Sequence, residues 1–517
     1  SLPHSLYDHV SSCLAVKPSA VRVTVMLRKL TLFSRQGVRL ILFSGNTWVT
    51  SSSPKAIRKM LKVEADGSLD LSHVSAFREP EFILLNKLFE KHGYQVRVAG
   101  GAVRDVLMSV DPKDVDLATT ATPEQMIEMF TKENIRMLNR NGEAHGTVTV
   151  RINDKSNFEI TTLRIDVNPD GRHSEVAFTT DWKLDANRRD LTVNSMFLSI
   201  DYGKLVGYSV DELTDELSDD IKFLRGTLYD YFNGLHDLSV RNIRFVGDPA
   251  ERIKEDYLRI LRYFRFYGRL AADPEGHDEG TLKAISENCE GLWNVAGERI
   301  WMELKQILLY PTAPSLLRHM SLTGVCSACG LPADLNLDEL DTVWSRGILE
   351  LSPNPAACLA AALNTQEEAD TFIARVRPSN AEVTILKFLI DFRAKSQPPD
   401  LLEYFKHHYL VSFESSRLKP VFEEAMRYLG RKDLLEAWKV WVPPKFPVNG
   451  HMLQLKWNVK GRILRPLLQS LKEAWVASGC QLTAEDLLSD SMREQTMQNL
   501  STGEQAKGIL IPVTKRH

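Results

Sequence analysis

The stretch Gly100-Gly101-Ala102-Val103-Arg104-Asp105, followed by Asp114-Val115-Asp116, decides the fold. It comes after a short alternating run over 94–98 in which Tyr94, Val96 and Val98 share one face, the pattern of a half-buried strand. Two glycines after a strand let backbone N–H groups approach an anion closely. A helix opening near Ala102 adds the positive end of its dipole. Asp114 and Asp116 stand two apart, and in a strand both carboxylates then project from one face. Paired carboxylates beside a phosphate cradle suit divalent metal ions that also hold a triphosphate.

Upstream, Pro80 opens a helix with Phe82, Leu85, Leu88 and Phe89 at helical spacing, and Gly93 ends it. Downstream, the pattern predicts a helix over 123–130 and strands over 146–152 and 158–164. Strands interleaved with helices point to a layered α/β head. After Arg252 the periodicity is helical to near Leu488, with breaks at 311–314, 353–355, 397–400 and 443–447. A chain of 517 residues exceeds what one core organises, so several domains are expected.

The segment Glu255-Asp256-Tyr257-Leu258-Arg259-Ile260-Leu261-Arg262-Tyr263-Phe264-Arg265-Phe266 reads as one helix. Asp256, Arg259 and Arg262 recur every three residues on a charged side, and Tyr257, Ile260, Leu261 and Phe264 line an apolar side. The charged side is equipped to read a base without a template. Cytosine and adenine each present an amino donor beside a ring-nitrogen acceptor. A fixed aspartate accepts from the amino group and a fixed arginine donates to the ring nitrogen. Guanine and uracil carry a carbonyl and an N–H there, so both contacts are mismatched.

These pieces stand in order with Arg188-Arg189-Asp190-Leu191-Thr192-Val193-Asn194 and two weaker stretches, Asp230 to Asp237 and Gly297 to Leu304. Together they resemble the nucleotidyltransferases of the DNA polymerase β superfamily, and more narrowly the class II tRNA nucleotidyltransferases, the CCA-adding enzymes, of mitochondrial type. The resemblance runs from about residue 79 to 488 and is strongest through 304. It implies an α+β fold: a mixed-sheet, polymerase β-like head domain followed by an all-helical neck, body and tail. It implies template-independent addition of C, C and A to tRNA 3′ ends from CTP and ATP, with pyrophosphate released. Two Mg²⁺ would be held by Asp114 and Asp116, and Glu159 is the candidate third catalytic carboxylate. Gly100, Gly101, Arg104, Arg189, Asp190, Asp256, Arg259, Arg262 and Arg265 would contact the nucleotide, with Asp190 at the sugar. The tRNA acceptor arm is the implied partner. Basic residues of the helical remainder, including Arg417, Lys419, Arg431, Lys432, Lys456, Lys460, Arg462 and Arg465, with Trp457 among them, would follow its phosphates. No obligatory protein partner is evident. Two alternatives stay open here: a poly(A) polymerase of the same superfamily, and a catalytically inactive RNA-binding relative.

Hydrophobic and charged shares of 43% and 25% are ordinary for a globular protein. The net charge of −3 does not exclude RNA, because local basic patches bind it whatever the total. No apolar run approaches the roughly 20 residues that span a bilayer, so no membrane insertion is expected. Of the six cysteines, Cys326 and Cys329 form one CxxC, but no second pair completes a zinc site.

The expected domains are a leader over 1–78, a head over 79–240, a neck over 241–310, a body over 311–400, a tail over 401–490 and a loose end over 491–517. The leader carries no Asp or Glu from His9 through Val63 while holding ten Lys and Arg and many serines, the composition of a mitochondrial transit segment. Localisation to the matrix is therefore expected, with a cytosolic or nuclear form if translation starts internally, for instance at Met60. Residues 202–225 interrupt the resemblance. Without them Asp201 would meet Gly226 in a tight hairpin turn between two apolar strands, so they read as an acidic insertion at a hairpin tip.

Overall fold

The computed structural model describes residues 60–138, 146–167, 175–202 and 224–501. Most of the expected leader, the centre of the insertion at 203–223, and 502–517 lie outside the described residues. Residues 60–62 group with 105–111, where the Leu61 N–H donates to the Leu107 carbonyl.

The head is built on an eight-stranded mixed sheet. Its strands are β1 (Ser68–Asp70), β2 (Val96–Ala99), β3 (Leu117–Thr119), β4 (Arg136–Met137), β5 (Thr147–Ile152), β6 (Ser156–Thr162), β9 (Phe197–Asp201) and β10 (Arg225–Tyr229). They lie in the order β1-β10-β9-β2-β3-β6-β5-β4. Only β3 and β6 pair in parallel; the other neighbours are antiparallel. β7 (Arg164–Val167) and β8 (Glu175–Phe178) form a separate antiparallel pair.

Alternation divides this sheet into an apolar face and a cleft face. Val98, Leu117, Ile160 and Val148 form one row across it, each buried. Over the sheet lie α1 (Pro80–Lys91) and α3 (Pro123–Lys132). Phe82 stacks on Phe77, and Phe89 meets Phe130 edge-on at 5.9 Å. Each such ring removed from water contributes about 1.5–3 kcal/mol. The helices start and stop for local reasons. Pro80 occupies the first turn of α1 and Gly93 turns out with φ of +76°; Thr122 and Gln125 cap α3 reciprocally.

Three expectations are corrected in the head. Ser68–Asp70 pairs with β10, so part of the stretch assigned to the leader belongs to the head sheet. β3 starts at Leu117, which leaves Asp114 and Asp116 on its entry loop rather than within the strand. The ladder reaches only as far as the Asp116 carbonyl, which accepts from the Ala99 N–H. The predicted hairpin is present as β9 and β10, but Arg225, assigned to the insertion, is the first residue of β10 and pairs with Asp201.

Beyond the head the chain is helical. The short α2 (Gly101–Leu107), α4 (Trp182–Asn187) and α5 (Gly234–Val240) belong to the head; α6 (Pro249–Glu255), α7 (Arg259–Leu270), α8 (Glu279–Asn288) and α9 (Gly297–Ile307) form the neck. The expected single helix over 255–266 is broken. α6 ends at Glu255, Asp256 is extended with φ of −151°, and α7 begins at Arg259. Ile260, Leu261, Tyr263, Phe264, Phe266 and Tyr267 bury one side of α7, leaving Arg259, Arg262, Arg265 and Arg269 as a stripe on the other. The described part of the expected loose end, up to Ser501, belongs to a helix over Asp490–Ser501. The tail has its own core, which includes Trp457 at 1% exposed with its indole N–H on the Leu488 carbonyl. Trp457 is therefore a core residue and not an RNA contact. Cys326 and Cys329 are buried free thiols. Among the described residues no helix is long and apolar enough to cross a membrane.

Candidate active site

A cleft of about 730 Å³ opens where the cleft face of the sheet meets α7. Its floor carries Ala99, Ala118, Thr147, Glu159 and Thr161 from the sheet and Asp116 from the entry loop. Continuing the β3–β6 register back by one residue sets Asp116 beside Glu159. Nine arginines and seven carboxylates line the cleft, an excess of positive charge suited to a triphosphate.

The diglycine turn is constrained from within. Gly100 has φ of +63°, and a Cβ there would lie 2.9 Å from the Arg189 guanidinium. Its N–H already donates to the Met196 carbonyl, so it is not the expected phosphate donor. Gly101 opens α2, and a Cβ there would meet only the Arg104 guanidinium at an ordinary 3.5 Å. Arg104 is 3% exposed; its guanidinium donates to Asn194 Oδ1 and lies 4.9 Å from the centre of the Phe266 ring.

Asp114 and Asp116 are exposed. Burial of its surroundings raises the Asp116 pKa above the usual carboxylate value, Arg189 opposes that rise, and Asp114 adds to it. Glu159 faces the same cleft. Among the described residues no three His, Cys, Asp or Glu side chains form a metal-binding cluster.

Arg188 and Arg189 are both held by Asp185, which sequence reasoning missed. Asp185 is 1% exposed. Its carboxylate accepts from Arg188 Nε at 2.9 Å, from Arg189 Nε and Nη2 at 3.2 Å, and from the Arg164 N–H at 3.1 Å. Burial pushes its pKa up, but the two guanidiniums outweigh that and hold it low. Its spacing of three and four residues from Arg188 and Arg189, across a helix end, was the available signal. Arg189 also lies over the Phe197 ring at 4.8 Å.

Asp190 lines the cleft, but both its oxygens are engaged. Oδ1 accepts from the Leu191 N–H at 2.8 Å and Asn194 Nδ2 at 3.4 Å; Oδ2 accepts from Arg262 Nε at 2.6 Å. Burial raises its pKa, yet Arg262 more than offsets this and brings it to about 2. Asp190 thus stands at the head–neck junction, paired with Arg262 on the wall of the cleft.

Asp256, Arg259, Arg262 and Arg265 all line the cleft, as expected. Asp256 and Arg259 do not pair with each other. Asp256 accepts from Arg299 Nη2 at 3.2 Å; Arg259 donates to Glu255 at 2.6 Å and to the Arg188 carbonyl at 2.7 Å. Arg265 forms an ion pair with buried Glu303 at 2.7 Å.

The family model for the Poly A polymerase head domain matches residues 96–244, and that for the probable RNA and SrmB-binding site of polymerase A matches 278–328. CCA tRNA nucleotidyltransferase 1, mitochondrial, of Danio rerio is 43% identical over 409 residues, covering 78% of this chain and 89% of that protein. The Homo sapiens protein of the same name is also 43% identical over 409 residues, covering 78% and 88%. The structure of the Bacillus stearothermophilus CCA-adding enzyme in complex with CTP superposes with a TM-score of 0.60 at 24% identity, over 83% of this chain and 99% of that one, a likeness of fold. By its identity to relatives that it matches over most of their length, the chain belongs to the family of CCA tRNA nucleotidyltransferases.

Proposed function

We propose that this enzyme adds C, C and A to tRNA 3′ ends from CTP and ATP, without a template, releasing pyrophosphate. The observation that supports this most is a single cleft lined both by Asp116, beside the diglycine turn, and by Asp256, Arg259, Arg262 and Arg265 from the neck. Transfer of a nucleotide to a hydroxyl needs charge neutralisation and in-line positioning more than covalent chemistry.

Asp114 and Asp116 fit a hard divalent cation. Both are exposed carboxylates close enough to repel one another, and Mg²⁺ is commonly held by one or two carboxylates together with waters and substrate phosphates. Bound there, Mg²⁺ ions supply charge neutralisation to the triphosphate and activation of the RNA 3′-hydroxyl. Glu159 adds a carboxylate to the same wall. Arg104, Arg189, Arg262 and Arg265 supply positive charge to the phosphates, and Asp256 and Arg259 read the base. For that reading Arg259 must exchange Glu255 for the nucleotide, and Asp256 must turn from Arg299.

In the tail Lys456, Lys460, Arg462 and Arg465 are exposed, which supports phosphate contacts along the acceptor arm of tRNA. The acid-free stretch over 9–63 and the mitochondrial names of the relatives support a matrix location. Residues 26–62 fused to a fluorescent reporter are expected to send it to mitochondria; a diffuse cytosolic signal would count against this. The function itself is tested on tRNA lacking its terminal CCA, supplied with CTP alone, ATP alone or both, with the product ends sequenced. C-C-A from the mixture is the expected result. Long A tracts would mark a poly(A) polymerase, and no incorporation an inactive relative.

A further inference from the structure

We infer that Asn194 is a positioning residue for the triphosphate, acting through Arg104; this rests on the nucleotidyltransferase reading of the cleft. Asn194 is the last residue of a single 3₁₀ turn, Thr192–Asn194, and is 6% exposed. Its side chain touches two groups of opposite demand. Oδ1 accepts from Arg104 Nη1, and Nδ2 donates to Asp190 Oδ1 at 3.4 Å. Its backbone carbonyl accepts from Arg189 Nη1 at 3.4 Å. One buried residue thus joins an arginine of the diglycine helix, the arginine that follows Asp185, and the carboxylate that holds Arg262 of the neck.

The chemistry selects an amide here. Guanidinium is only a donor, and Asp190, with a pKa of about 2, is only an acceptor at neutral pH. A side chain between them must accept on one side and donate on the other. Carboxylates cannot donate when ionised, ammonium groups cannot accept, and alanine reaches neither. The two partners also fix which way the amide points. Arg104 is further enclosed by Phe266, whose ring lies 4.9 Å from Arg104, 4.4 Å from Arg265 and 5.7 Å from Arg262. The ring confines the guanidinium on one side and the amide sets its direction on another. Arginine loses considerable rotamer freedom on binding a phosphate, so a guanidinium already oriented binds with less to lose.

The test measures equilibrium binding of CTP and of ATP, and incorporation on tRNA lacking CCA, for wild type, Asn194→Ala, the near-isosteric Asn194→Asp, Arg104→Ala, and each Asn194 variant combined with Arg104→Ala. Thermal midpoints show that each variant is folded; should Asn194→Ala fail to fold, Asn194→Asp carries the test. Both Asn194 variants are expected to weaken binding and raise KM for CTP and ATP alike, by about five- to 150-fold, while kcat falls less. In the Arg104→Ala background neither is expected to weaken binding further. Unchanged affinity in folded single variants, or full additivity with Arg104→Ala, overturns the assignment. Wild type that binds CTP yet extends no tRNA sinks the proposed reaction and leaves Asn194 judged on binding. Wild type that binds neither nucleotide sinks both.

Discussion

Asp116 shows how a single carboxylate is set for its task. Its surface is exposed, yet the cleft walls around it desolvate the carboxylate enough to raise its folded pKa above the usual 3.8; Arg189 opposes that rise and Asp114 adds to it. A raised carboxylate pKa means that the folded state holds the proton more tightly than the unfolded chain does. Stability from this group is therefore greatest at low pH and is lost as pH rises from 3.8 through the raised value. At neutral pH the ionised Asp116 is a liability that a cation relieves. In chelator, Asp116→Asn is expected to melt at the same or a higher temperature than wild type. Mg²⁺ should raise the wild-type midpoint more than that of the variant, and the variant should incorporate almost neither nucleotide. Substantial incorporation by the variant with Mg²⁺ present would sink the metal assignment. Asp256 makes a second case. On the base reading proposed above, removing the acceptor for the amino group of C or A leaves a carbonyl at that position unpenalised, so Asp256→Ala should shift preference toward UTP and GTP by about five- to 150-fold. A variant that keeps wild-type selectivity and loses only rate would mark Asp256 as a brace for Arg299. At this scale the identities of the cleft residues were legible, because chemistry dictates residue types. Their partners were not all so: Asp256 meets Arg299 from a helix 43 residues on, whereas the pairing of Arg259 with Glu255, four residues back, was open to a reading of spacing.

Elements were legible where periodicity was long, as in α1, and misread where a functional turn interrupts it. The 255–266 segment has the apolar spacing of one helix, yet Asp256 is extended because its carboxylate accepts from the Leu258 N–H two residues on. That local bond competes with helix continuation and sets Asp256 at a bend facing the cleft. The insertion gives a testable case. Tyr202 donates its hydroxyl to the Phe77 carbonyl at 2.8 Å, and Leu224 is 1% exposed with its N–H on Ser72 Oγ. Both stems are thus tied to the segment leading into α1, which a sequence reading of the hairpin alone could not reveal. Replacing 203–223 by Asn-Gly keeps both stems and supplies a two-residue turn. This variant is expected to fold with a midpoint close to wild type and activity equal or higher, since loop length itself costs little. Removing 202–225 as well should lower the midpoint, because a buried leucine is worth about 1.5–3 kcal/mol. Equal midpoints for the two deletions would show that the stems contribute nothing. Failure of the shorter deletion to fold would make the insertion integral.

For the whole molecule, the decisive contact is the one between head and neck, where residues far apart in sequence complete one cleft. The order of motifs announced a mixed-sheet head before a helical neck, but not how the two are fastened. Asp190 to Arg262 at 2.6 Å, Arg252 to the Asn187 carbonyl at 2.7 Å and Arg259 to the Arg188 carbonyl at 2.7 Å all fasten α6 and α7 to the loop after α4. In sequence Arg188-Arg189-Asp190 is only a charge cluster, because nothing local says which charge will be buried. The pH dependence of the Asp190 pair can be derived. Its folded pKa of about 2 lies below the usual 3.8, so the unfolded chain takes up its proton first on acidification. The stabilisation is fully present above about pH 4 and is lost as pH falls toward 2. A shift of that size corresponds to about 2 kcal/mol. Asp190→Asn keeps the acceptor for the Leu191 N–H but turns an amide donor or a neutral oxygen toward Arg262. At pH 7 it should destabilise the protein by about 2 kcal/mol in denaturant unfolding, and the gap from wild type should close between pH 4 and 2, where wild type loses the same charge. A gap that stays constant with pH would mean that Asp190 contributes shape rather than charge. The cleft would then be held together by the two arginine-to-carbonyl bonds, which do not titrate in that range.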